Sequence, residues 1–165
     1  MSTTTSTKAY SMPQIVLHWA IAILIVANYI VSEGMGHQLD EHLENAGFQT
    51  NWVGTFHVYV GLTVLGLVLV RLIVRRASPV PETISAGHPL LDKVQKLAHG
   101  LLYVLMLLVP VFGAMAWYLG MEFMGDVHVV AMNTMMIIAL LHALAALYHH
   151  HVLKDRVLMR MLGRE

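Results

Sequence analysis

Residues 127–148 read VHVVAMNTMMIIALLHALAALY, twenty-two residues with no Asp, Glu, Lys or Arg. The hydrocarbon core of a bilayer is crossed by about 20 residues of helix, and helix is the structure that satisfies its own backbone within lipid over such a run. The stretch is therefore expected to be a membrane-spanning helix. Its two histidines, His128 and His142, are fourteen residues apart, about 21 Å of rise and close to four whole turns. They share one face of the helix and lie at two depths.

Outward from that segment, three further apolar runs have the length to span, at about 15–31, 52–74 and 97–119, and Arg71 is the one charged side chain inside any of them. The composition agrees: 12% charged and 57% hydrophobic residues, against about 25% charged in ordinary soluble domains. A soluble helical bundle is the weaker alternative. The expected fold is all-α, a four-helix transmembrane bundle forming a single domain over residues 1–165. The polar N-terminus leads into an apolar run with no small-residue cleavage site before Glu33, so it is read as retained and not as a signal peptide. SPVPETISAGHP, with Pro79, Pro81 and Pro89, is expected to be an extended loop before the third span. The first outer connection, 32–51, is long enough for a short amphipathic helix.

Charge gives the chain an orientation. Lys8, Arg71, Arg75, Arg76, Lys93, Lys96, Lys154, Arg156, Arg160 and Arg164 all fall on one side of the four spans. Glu33, Asp40, Glu41, Glu44, Glu122 and Asp126 occupy the opposite connections, which have no Lys or Arg. By the positive-inside rule both termini are cytoplasmic. Ten basic and ten acidic residues balance overall, so no global field points to nucleic acid.

There is no cysteine among the 165 residues and there are eleven histidines. Thiolate ligation, iron–sulfur clusters and covalent haem attachment are thereby excluded. An ionisable group at membrane depth is read first as functional, although a histidine bonded to a neighbouring helix is the plainer explanation for any one alone. Span direction puts His18 and His142 at the inner depth, and His57 and His128 at the outer. Two opposed imidazoles at one depth suit the axial positions of a six-coordinate haem, whereas zinc or copper asks for three or four converging ligands. Alanines and glycines around these positions leave room for a flat group, though in membranes they also serve close helix packing. Met132, Met135 and Met136 are read as packing residues and not as ligands.

The motifs IVLHWAI (15–21), FHVYVGL (56–62) with VLVRLIVRR (68–76), LAHGLLYVLMLLVPVFG (97–113) and LLHALAALYHHHVLKDRVLMRML (140–162) together resemble the bacterial cytochrome b561 family over nearly the whole chain. The resemblance implies a four-helix inner-membrane cytochrome with two b-type haems, whose axial ligands correspond to His18, His57, His128 and His142. It implies the pairing His18 with His142 and His57 with His128, and makes His99 a family histidine that is not a ligand. One branch of the family oxidises superoxide outside and reduces ubiquinone inside, and the chain resembles that branch in length and architecture. Two departures stand out: the connection between the last two spans is short, and His128 lacks the acidic residue that often follows the ligand. The outer loops are also acidic throughout, which opposes an anionic donor.

Three functions follow. The first passes single electrons from superoxide or a soluble outer-face donor through two haems to ubiquinone. The second is a b-type relay or anchor for a periplasmic dehydrogenase, met by charge complementarity. The third, a metal or haem transporter, lacks the internal repeats and broken helices such proteins use. Quinone reduction also needs protons, and His149, two turns past His142 on the same face, is the candidate donor, with an interfacial snorkelling role equally open. Arg71 and Arg75 are expected to anchor a helix end to lipid headgroups.

Overall fold

The computed structural model describes residues 10–78, 81, 88–155 and 157–164. They form α1 (Met12–Val31), α2 (Met35–Glu44), α3 (Trp52–Ala77), α4 (Pro89–Leu119), α5 (Glu122–His151) and α6 (Val157–Met161), with no strand among the described residues. Helices α1, α3, α4 and α5 have the length and apolar character to cross a membrane. Much of the proline-containing connection expected to be extended, together with Lys8 and Arg156, lies outside the described residues.

The helix ends follow local chemistry. Asn51 Oδ1 accepts from the backbone N–H groups of Val53 (2.8 Å) and Gly54 (3.1 Å) and so caps α3. His88 Nδ1 accepts from Leu90 N–H at 3.2 Å, with Pro89 as the first residue of α4. Helix α4 therefore begins eight residues before the apolar run expected at 97. Its first turns carry Asp92, Lys93, Gln95 and Lys96, a polar extension that a search for apolar residues passes over. At its far end Gly120 adopts φ +67°, a left-handed conformation that glycine takes without strain. Only Gly120 and Met121 then separate α4 from α5, so the short connection is a tight helical hairpin.

The bundle is two helix pairs, α1 with α3 and α4 with α5, joined where α3 packs on α4. Ile21 meets Val64 and Val68 inside the first pair; Leu105 and Val109 meet Met135 inside the second. Met135 acts here as packing, as read from the sequence. Large apolar side chains point outward instead, with Ile30 71%, Ile73 65% and Val130 67% exposed. A soluble protein would bury such groups; lipid, as apolar as they are, accepts them. Helix α5 packs along α4 but is not closely packed on α1 or α3. That separation leaves the space the histidines occupy.

Helix α2 lies across the end of the bundle that carries the acidic residues. Gln38, buried, turns its Oε1 to Thr50 Oγ1 (3.1 Å) and to Asn51 N–H (3.2 Å). His42 stacks on Trp117 with ring centroids 4.3 Å apart and planes 4° apart, and its Nε2–H donates to the Trp117 carbonyl at 3.1 Å. Trp117 is thus the floor on which α2 rests. At the opposite end Trp19 Nε1–H donates to the Met161 carbonyl at 2.9 Å, tying α6 back to α1.

Candidate functional site

Helix rise set two histidine depths, and helix packing brings the members of each depth together. The rings of His57 (α3) and His128 (α5) have centroids 5.8 Å apart, and those of His18 (α1) and His142 (α5) 6.4 Å, each pair at 74°. An imidazole nitrogen lies about 2 Å from a bound metal and about 1 Å from its ring centre, so two rings across one metal sit about 6 Å apart. Both separations match that span. His99 approaches His142 at 4.8 Å, too close to hold a metal between the rings. Its Nδ1–H donates instead to the Gln95 carbonyl one turn back, at 2.7 Å.

At the acidic end the histidine pair opens into a cavity of about 590 Å³, bounded by Ile25, Gly61, Val64, Met106, Pro110 and Met132 among others. A cavity of this size and apolar lining suits a cofactor. Ring orientation there is imposed by neighbours. Ser32 Oγ–H donates to the Asn28 carbonyl, leaving Oγ to accept from His57 Nδ1–H at 2.9 Å; Asn28 Nδ2–H in turn donates to the His57 carbonyl at 3.4 Å. His128 Nδ1–H donates to the Val109 carbonyl at 2.8 Å. With Nδ1 protonated and engaged, each ring keeps its Nε2 lone pair for a metal, the arrangement that orients ligating histidines generally. Gly113 leaves the room for His128: a Cβ there would stand 3.0 Å from Nδ1.

The pair at the basic end, His18 and His142, is held differently. Arg71 lies on α3 fourteen residues beyond His57, thus four turns further along the same face. Its Nε–H donates to Tyr103 Oη at 3.1 Å, one Nη–H to the Gln14 carbonyl at 3.0 Å, and the second Nη stands 3.4 Å from His18 Nδ1. The expected headgroup anchor is therefore corrected for Arg71: it reaches inward, because the face it occupies is the one α3 turns toward α1 and α4. Arg75 also approaches Tyr103, its guanidinium carbon 5.4 Å from the ring centre. The sign of Arg71's role was present in the sequence, since its spacing from His57 equals that of His128 from His142. Ser32, Asn28 and Gly113 carried no such signal, being ordinary small or polar residues until the helices meet.

His149 sits past His142 on α5, and its Nδ1 is hydrogen-bonded to an Asp155 carboxylate oxygen. The other oxygen of Asp155 accepts from Val157 N–H at 3.1 Å, at the start of α6. Glu33, Asp40, Glu122 and Asp126 line the cavity at the acidic end, and among the described residues no Lys or Arg does.

Apolar spanning helices that bring four histidines together in two pairs at two depths fit the class of membrane electron-transfer cytochromes. The chain belongs to the prokaryotic cytochrome b561 family, whose description it matches over residues 9–164. It is 46% identical over 162 residues to cytochrome b562 of Cereibacter sphaeroides, covering 96% of this chain and 98% of that one. It is 25% identical to the probable superoxide oxidase CybB of Yersinia pestis, covering 96% and 98%, and 26% identical to cytochrome b561 homolog 1 of Escherichia coli K12, covering 94% and 97%. The family makes this a membrane electron-transfer protein that uses haem b.

Proposed function

We propose that the chain carries two b-type haems in one bundle and moves single electrons across the inner membrane, from a donor at the acidic face to ubiquinone at the basic face. The observation that carries this reading is the pair of histidine pairs, at 5.8 and 6.4 Å. Haem iron held between two imidazoles supplies one-electron chemistry with no open coordination position. His18 and His142 would hold the inner group, His57 and His128 the outer. The positive-inside rule, applied to the basic end, makes that end cytoplasmic together with both termini.

The chain's own residues then set access and protons. Helix α2, pinned through His42 and Gln38, covers the outer mouth. His149 is the proton relay to the reduced quinone: Asp155 holds its ring by Nδ1, and Nε2 takes up a proton from the aqueous side and passes it to the quinone. For the donor, superoxide is supported by the name of the CybB relative. Superoxide:ubiquinone oxidoreductase activity is the reading that follows. A second reading rests on the four carboxylates lining the outer cavity: they favour a basic soluble partner, as a relay or anchor for a periplasmic dehydrogenase would meet.

The test is purified protein offered superoxide and then ubiquinone, and separately a quinol, while the haem spectrum is followed. Two haems per chain, both reduced by superoxide and reoxidised by ubiquinone, are the expected result. Loss of one haem in His57→Ala with the other retained checks the pairing; retention of both refutes it.

A further inference from the structure

The two histidine pairs differ in what faces their Nδ1 atoms. At the outer pair both partners are acceptors, Ser32 Oγ at 2.9 Å and the Val109 carbonyl at 2.8 Å. An acceptor against Nδ1–H pushes electron density toward the ligating nitrogen, raises its basicity and favours the oxidised metal. At the inner pair, the atom 3.4 Å from His18 Nδ1 is a nitrogen of Arg71. A guanidinium is always charged and has no acceptor atom. With Nε2 reserved for a metal, His18 Nδ1 carries the proton and cannot accept from Arg71, so the guanidinium acts on the site by its positive charge, which favours the reduced metal.

Arg71 is half-buried, and its hydrogen bonds among the described residues that hold when His18 ligates go to a phenol and a backbone carbonyl, both neutral. Its charge is thus not cancelled by those partners, in surroundings where charges act strongly. The carboxylates of the outer cavity have the opposite sign but are exposed and partly screened by salt. Arg71 is the larger of the two influences.

We infer that Arg71 is a positioning residue that holds the inner haem at a higher reduction potential than the outer haem, so that electrons run from the acidic face to the basic face. This rests on the two-haem reading above and gives it a direction. Arg71 needs no contact with the haem for this; it acts through its charge.

The experiment is an anaerobic redox titration of the full-length holoprotein, with haem counted per chain by pyridine haemochrome. His57→Ala, which removes the outer site, identifies which midpoint belongs to which haem. The component that survives in His57→Ala should be the higher one in the unaltered protein. Arg71→Gln should lower it by at least tenfold in the reduction equilibrium, 59 mV for one electron, while the other component stays in place. Arg71→Lys, keeping the charge, should shift it less. Ser32→Ala, approached from the other side, should raise the outer midpoint and narrow the gap, and it serves if Arg71→Gln fails to fold. The ordering is overturned if the surviving component is the lower one, if Arg71→Gln keeps both haems with an unchanged gap, or if Ser32→Ala leaves the outer midpoint where it was. Fewer than two haems in the unaltered protein would bring down the underlying reading, and this ordering with it.

Discussion

Gly113→Ala tests whether the outer site is shaped for the His128 ring. A Cβ at this position would lie 3.0 Å from His128 Nδ1 and 3.1 Å from Cε1, tighter than ordinary carbon contacts of about 3.5–4.0 Å. The ring must retreat by a few tenths of an ångström, and the 2.8 Å hydrogen bond to the Val109 carbonyl lengthens with it. Overpacking a filled site costs about 1–3 kcal/mol, and a weakened hydrogen bond about 0.5–1.5 kcal/mol more. If half of that is expressed in the haem-binding state, affinity at the outer site falls by about tenfold, the lower end of what partners behind a metal ligand typically control. The assay is haem titration of the apoprotein in detergent, with His57→Ala and the unaltered chain as references for one and two sites. Gly100→Ala on the same helix is the control, because nothing lies within 4 Å of a Cβ there. It should be neutral or more stable by a few tenths to about 1 kcal/mol, from helix propensity alone. Outer-site affinity unchanged in Gly113→Ala, or lowered equally in Gly100→Ala, would refute the steric argument.

Three other outcomes are expected. Asn51→Ala removes the acceptor for two N–H groups at the start of α3 and should cost about 1 kcal/mol, read as a lower midpoint of thermal unfolding in detergent. Raising salt should speed haem reduction by superoxide, because it screens the carboxylates of the outer cavity, and should slow reduction by a basic protein donor; stopped-flow traces insensitive to salt with both donors would show that the acidic rim does not govern access. Asp155→Asn, which weakens the hold on the His149 ring, should slow haem reoxidation by ubiquinone severalfold while leaving reduction from the outer face unchanged, and equal slowing of both half-reactions would count against a protonation role.

The residues themselves determined the spans, the sidedness of charge and the depths of the histidines. Each of these is a one-dimensional property: an uninterrupted apolar length, the order of Lys and Arg along the chain, and 1.5 Å of rise per residue. That is why four spans and the depth of His18, His57, His128 and His142 were legible, and why α2 was expected in the first outer connection. The start of α4 was missed because polar residues can continue a helix beyond the lipid. What tertiary structure decided is azimuth, the direction each face turns around its own axis. In lipid the outward and inward faces of a helix are both apolar, so composition does not say which faces which, and packing of small surfaces selects the answer. Through it Arg71 turns to His18 and Tyr103 instead of to headgroups, Ser32 and the Val109 carbonyl come behind the outer histidines, and Gly113 acquires its purpose. The return of the chain after α5 belongs to the same category: only once α6 folds onto α1 does Asp155 meet His149.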